Sequence, residues 1–243
     1  MSRALAPLAA VVGLVSVFSG LGCASQVVNG FLRGRPLGVG HMETGVSLSW
    51  ARQPASGVPF RREEVKPENP ESLSLVPAPV GHFRLGVSER VDIGLDVAIS
   101  GAAVSAKYAI FDSDQLMVGV VGRLSTWTAD LAGQEEQGYR AQGPIGAALA
   151  IPVATRPLEW FELAVTPNIG MLRVNASRTE VQGLVERDFT TVHAGMAFGA
   201  SFAAWRFRIN PEVNVVAVLR PDQGDGKGGF LAAYPGVAAF LAY

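Results

Sequence analysis

"FRLGVSERVDIGLDVAIS", Phe83 to Ser100, places apolar residues on every second position on both sides of a tight polar turn at Ser88–Arg90. Period two means strand, so this is a hairpin with one apolar face and one face carrying Arg84, Asp92 and Asp96. The same alternation recurs along most of the chain. Val46, Leu48 and Trp50 alternate with Gly45, Ser47 and Ser49, and Val104, Ala106, Tyr108 and Ile110 with Ser105, Lys107 and Ala109. It continues through "LMVGVVGRL" from Leu116, "YRAQGPIGAALAIPV" from Tyr139 and "WFELAVTPNIGML" from Trp160. The last segments are "FTTVHAGMAFGASFA" from Phe189, "WRFRINPEVNVVAVL" from Trp205 and "GFLAAYPGVAAFLAY" to the C-terminus, about ten strands in all.

The connections sort by length. Ser88–Arg90, Asp112–Asp114, Ala154–Glu159 and Ala203–Ala204 read as tight turns. Between them, apart from a short connection near Gly101, lie longer polar stretches at Arg52–Pro79, Thr128–Gly138, Asn175–Asp188 and Arg220–Gly228. Short turns on one rim, long loops on the other and an even strand number form an up-and-down pattern, with both termini on the short-turn side. Aromatic residues mark both rims. Trp160, Trp205, Phe207, Phe111 and Tyr243 fall at short-turn ends, and Trp50, Trp127, Tyr139 and Phe189 at long-loop ends, as two interfacial girdles would.

Composition agrees. Of 243 residues, 49% are hydrophobic and only 17% charged, below the roughly 25% of an average soluble domain. The net charge is -1 and the 20 basic residues are scattered singly, which leaves no nucleic-acid footprint. The N-terminus reads as an export signal over residues 1–22, with a basic start to Arg3, an apolar stretch from Ala4 to Phe18 and small residues before Cys23. Cys23 is the single cysteine, so no disulfide forms within the chain. Its position is that of a lipidated first mature residue, although Gly20 stands where a lipobox usually has Leu. Cleavage after Ala24 and an uncleaved apolar anchor are the competing readings. Residues 23–35 would then be a periplasmic tether and 36–243 the barrel.

On alternation, sorted loops, girdles and a last strand ending "AAFLAY", the chain resembles the small outer-membrane β-barrel proteins of Gram-negative bacteria over residues 36–243. The resemblance implies an all-β, up-and-down antiparallel transmembrane barrel in the outer membrane, with membrane lipids and the barrel-assembly machinery as partners. It also implies that Phe240 and Tyr243 belong to the assembly signal.

With the apolar rows toward lipid, the lumen receives Arg84, Asp92, Asp96, Lys107, Arg140, Glu162, Arg206, Arg208 and Glu212. Charges of both signs in so narrow a space must pair, which predicts a rigid salt-bridged interior. The small inward residues Gly146, Ala148, Ala150, Gly195, Ala197, Gly199 and Ser201 allow a narrow cavity instead, suited to a small solute.

Catalytic constellations are weak. His193 points inward with Gly195 two positions on, where a deacylase would want a serine; Ser201 lies near the opposite rim, and His82 and His41 have no evident partner. "GDGKGG" from Gly224 lacks the Ser or Thr of a phosphate loop, Asp222 and Asp225 lack calcium-loop spacing, and one cysteine with three dispersed histidines makes no zinc site. No metal, cofactor or catalytic role is expected. The expected function is structural or surface-interacting, with the Pro-rich 52–79 loop as the surface contact. A narrow solute channel or binder, and a soluble lipid-tethered periplasmic barrel, are the alternatives.

Overall fold

The computed structural model describes residues 34–52, 75–98, 101–127, 139–180, 183–219 and 230–243. These form β1 (Met42–Arg52), β2 (Leu75–Gly86), β3 (Val91–Ala98), β4 (Gly101–Asp112), β5 (Leu116–Trp127), β6 (Tyr139–Ala150), β7 (Val153–Leu158), β8 (Phe161–Glu180), β9 (Gly183–Ala204), β10 (Phe207–Leu219) and β11 (Phe230–Ala242). Every pairing is antiparallel. β1 pairs with both β2 and β11, which closes the sheet on itself and leaves no edge around the ring.

β6 and β7 are two pieces of one stave, since β5 and β8 flank both. The break falls at Ile151–Pro152, because proline has no N–H for the ladder. The neighbours bridge it: Gly119 N–H donates to the Pro152 carbonyl at 2.9 Å and Ile151 N–H to that of Pro167 at 3.0 Å. The barrel therefore has ten staves, and β1 begins and β11 ends at the short-turn rim.

Alternation assigns the faces. Ile93, Leu95, Val104, Ile110, Leu124, Leu149, Leu163, Ile169, Phe198, Phe202, Ile209 and Val213 all point outward and remain exposed. In water each would forfeit much of the roughly 1.5–3 kcal/mol that burial of such a side chain provides. A contiguous apolar belt on this scale marks a membrane-facing surface, and the fold is a transmembrane barrel. Within the belt, Ala106, Gly122 and Ala147 floor an apolar groove of about 720 Å³ flanked by Leu124, Leu149 and Met171.

At the short-turn rim Trp160, Phe161 and Phe202 cluster, with Phe161 and Phe202 5.1 Å apart, and Phe111, Phe207 and Tyr243 are exposed beside them. Trp205 occupies the β9–β10 turn with φ 55° and is 92% exposed. A left-handed backbone is costly for tryptophan; the indole is placed where a headgroup layer would solvate it. The side chains of Trp50, Trp127, Tyr139 and Phe189, expected in the other girdle, lie outside the described residues.

Three boundaries differ from the sequence reading. The tight turn expected at Ala154–Glu159 is strand to Leu158, turning at Glu159–Trp160. The 52–79 loop is shorter, because β2 begins at Leu75 and pairs fully with β1 up to Leu75↔Arg52. The expected loop at Asn175–Asp188 is a continued hairpin: β8 runs for 20 residues and β9 for 22, in register from Phe161↔Phe202 to Glu180↔Gly183. Roughly ten residues cross a membrane, so about half of each arm stands beyond the belt. There β6 joins them, with Tyr139↔Arg178 through Gln142↔Asn175, and the three strands make a sheet that projects past the long-loop rim.

Candidate functional site

The lumen is where the chemistry collects. Of the nine charged residues assigned to it, Arg84, Asp92, Asp96, Lys107, Glu162, Arg208 and Glu212 are buried on the inner face. Arg206 is not in the lumen: it sits in the β9–β10 turn, exposed, with its guanidinium 5.2 Å over the Trp205 ring. Alternation placed it with Arg208, but the strand starts only at Phe207, so the rule stops short of it. Arg140 lies on β6 opposite Ser177, and its side chain is outside the described residues.

The inner charges form three linked groups. In the first, Lys107 Nζ lies 2.7 Å from Asp92 Oδ2, tying β4 to β3. In the second, Arg208 grips Glu43 with two parallel bonds, Nε to Oε1 at 3.0 Å and Nη2 to Oε2. These two residues stand on β10 and β1, either side of β11, so the fork spans the seam where the last strand meets the first. Beneath it lies Phe240 of β11, 1% exposed, with Arg208 Cζ 4.5 Å and Arg84 Cζ 4.9 Å from its ring centroid. Two guanidinium groups share one buried aromatic ring in cation–π contact. Phe240 thus faces the lumen, whereas Tyr243, its partner in the expected assembly signal, is 41% exposed at the rim.

The third group was not foreseen. His82 has partners on both sides: Nδ1 is 2.7 Å from Asp96 Oδ1 and Nε2 is 2.7 Å from Ser47 Oγ. Arg123 Nη2 lies 2.8 Å from the other Asp96 oxygen. The order Ser–His–Asp is that of an activated nucleophile. However, Ser47 is 3% and His82 1% exposed, and Phe240 packs 5.5 Å from the imidazole. An acyl carbon needs a place about 3 Å from the hydroxyl, and the packing around Ser47 leaves none. The arrangement ties β1, β2, β3 and β5 across the barrel instead.

The remaining histidines differ. His193 faces inward from β9, half-buried against Gly170 of β8, and its Nδ1 has no hydrogen-bond partner. His41 is exposed on the short-turn rim. Ser201 is buried on the inner face opposite Glu162. Among the described residues no His, Cys, Asp or Glu group is placed to hold a metal ion.

The short-turn mouth is occupied by the chain itself. Gly34 N–H donates to Glu162 Oε1 at 2.7 Å, Lys107 Nζ donates to the Arg35 carbonyl at 2.8 Å, and Leu37 N–H donates to Asp92 Oδ1 at 2.9 Å. Arg35 also reaches the Ser113 carbonyl and lies 3.7 Å from Asp112. Gly38 and Gly40, at φ 86° and 74°, turn the segment into β1, and Gly40 N–H donates to the Gly86 carbonyl at 2.9 Å. A glycine is required on both sides of this contact. A Cβ on Gly86 would fall 1.9 Å from the Gly38 carbonyl oxygen, and one on Gly34 would fall 2.2 Å from Ala154 Cβ. Lumen carboxylates and a lysine thus satisfy backbone groups of a segment that would otherwise be buried unpaired. Residues 1–33, with the expected signal, Cys23 and most of the tether, lie outside the described residues.

No family model and no curated protein matches the chain. Solved structures do. Ail, the attachment invasion locus protein of Yersinia pestis, is 9% identical, with 84% of this chain and 99% of that one covered at a TM-score of 0.35. Neisserial surface protein A is also 9% identical, covering 83% and 95% at 0.36. The CymD monoaromatic hydrocarbon channel is 8% identical, covering 84% and 88% at 0.27. All three are outer-membrane β-barrels. The assignment of this chain's fold rests on its own closed strand pairing.

Proposed function

We propose that the chain is a non-enzymatic outer-membrane β-barrel with a structural and surface-interaction role. It is exported by residues 1–22 and anchored by a lipid at Cys23, with the assembly machinery as partner at insertion through Phe240 and Tyr243. The observation that carries this reading is the projecting sheet of β6, β8 and β9, which extends polar residues such as Arg178, Glu186 and Arg187 beyond the apolar belt. A rigid, cross-braced interior suits a scaffold that holds such a sheet still. The long-loop ends of β1 and β2, at Arg52 and Leu75, open on the same rim. A soluble periplasmic barrel would leave the outward rows of β3, β4 and β8 in water, which the exposed belt disfavours.

Brief trypsin treatment of intact cells tests the reading. Cleavage is expected after Arg178 or Arg187, with the Arg35, Arg90 and Arg156 sites of the short-turn rim intact until the cells are broken. Protection of all five sites in intact cells, with the protein in the membrane fraction, would overturn the surface role.

A second reading, a small-solute conduit, is favoured by one observation. The inward residues Ala148, Ala150, Asn168, Gly195 and Gly199 remain partly exposed although Gly146, Thr166, Ala197 and Ser201 between them are buried, whereas the inward residues of β10 and β11 are buried without such interruption.

A further inference from the structure

The lumen has two unlike halves. One is solid: Ser47, His82, Arg84, Arg208, Asn214 and Phe240 fill it from β1, β2, β10 and β11. The other, along β6, β8 and β9, carries partly exposed small side chains at Ala148, Ala150, Gly195 and Gly199, set among Asn168, the buried Thr166 and Ser201 and the unpartnered His193 Nδ1. At the foot of this wall stand Ala154 and Glu162, the two residues against which Gly34 is pressed. From there the N-terminal segment crosses to Asp92 and Lys107 on β3 and β4 and ends on Gly86 of β2. In the ring of ten staves β8 and β2 lie on opposite sides. The segment spans the mouth.

We propose that Gly34–Gly40 is a stopper that closes the short-turn end of a solute path along the β6–β8–β9 wall, and that small polar solutes without net charge pass when it is displaced. This rests on the conduit reading above. The geometry shows why the segment can leave. It is held by hydrogen bonds to side chains, by the single backbone bond from Gly40 to Gly86 and by close glycine contacts, and it forms no strand of its own, so its departure breaks no strand-to-strand pairing. Segments held by few apolar contacts open at low cost.

The solute class follows from the charge balance. Among the described residues the lumen holds Arg84, Lys107, Arg123 and Arg208 against Glu43, Asp92, Asp96, Glu162 and Glu212, four cations to five carboxylates. Such a lumen gives neither sign of ion a strong preference, while the β6–β8–β9 wall offers room without an apolar surface large enough for a hydrocarbon. A zwitterion such as glycine fits this description.

The test uses the full-length protein in liposome-swelling assays. Gly34→Val inserts a side chain where no Cβ fits, at a position outside every strand. Wild type should be silent, and Gly34→Val should show at least tenfold faster swelling in glycine than in sodium glutamate or lysine hydrochloride. Gly34→Ala should open partly, and Ala154→Gly in that background should close it again. A silent Gly34→Val that retains heat-modifiable gel mobility would show that no path lies behind the segment, and both the conduit reading and the stopper would fall. Wild type swelling in glycine as fast as the variant would overturn the stopper and leave the conduit standing. Faster swelling in either salt than in glycine would overturn the solute class.

Discussion

Phe240→Ala should lower the stability of the folded barrel by about 3–5 kcal/mol, the range for removing a buried phenylalanine. The ring is 1% exposed, and its loss leaves a void bounded by Arg84, Arg208 and His82. Three polar side chains that now rest on one apolar face would have to repack together, so the cavity cannot collapse cheaply. Two cation–π contacts, each worth about 2 kcal/mol when desolvated, are lost at once. Phe240→Leu restores much of the volume but not the π face, and should recover only part of the loss. Urea titration of detergent-folded protein, followed by tryptophan fluorescence, reads all three. A change under 1 kcal/mol for Phe240→Ala would show that the ring is not a seam element.

Arg208→Ala should be nearly as damaging, at about 3–5 kcal/mol, because it strips a buried carboxylate of its bidentate partner. Glu43 and Arg208 straddle β11, and the stave they clamp is the one that closes the barrel. The double variant Glu43→Leu, Arg208→Met removes both charges and keeps the volume, and should lie closer to wild type than either single change. Buried pairs replaced together by apolar groups are often neutral. The same titration decides it: additive losses in the double variant would mean that the two side chains act independently.

These two sites mark the limit of what the sequence alone discloses. Alternation is legible wherever one face meets lipid and the other a polar lumen, and it puts Arg84, Asp92, Asp96, Lys107 and Arg208 on the inner wall from the chain alone. It says nothing about which of them meet. Ser47 and His82 are 35 positions apart and Glu43 and Arg208 are 165 apart, and their contacts depend on strand register, which no local pattern encodes. Glu43, just ahead of the first recognised alternation, passed unnoticed for the same reason.

The β8–β9 extension was hidden differently. Above the membrane both faces of a strand meet water, so Arg173 to Glu180 and Gly183 to Asp188 lose the two-sided contrast and look like loop. The hydrogen-bonded ladder continues regardless. Arg206 fails in the opposite direction, since a pattern extended one residue too far carried it into the lumen. The N-terminal strap has no periodicity at all. Its only trace in the sequence is the spacing of Gly34, Gly38 and Gly40, which becomes informative once Ala154 and Gly86 are known to lie against it.

The most direct test of the spanning barrel is labelling of intact cells with a membrane-impermeant maleimide. It needs single cysteines at positions 56, 183 and 113 in a Cys23→Ala background. The account predicts labelling at position 183, where β9 begins on the long-loop side, and at position 56, four residues after the long-loop end of β1, and none at 113 on the short-turn side until the cells are lysed. Labelling at 113 in intact cells, or at none of the three while the protein remains in the membrane fraction, would contradict it.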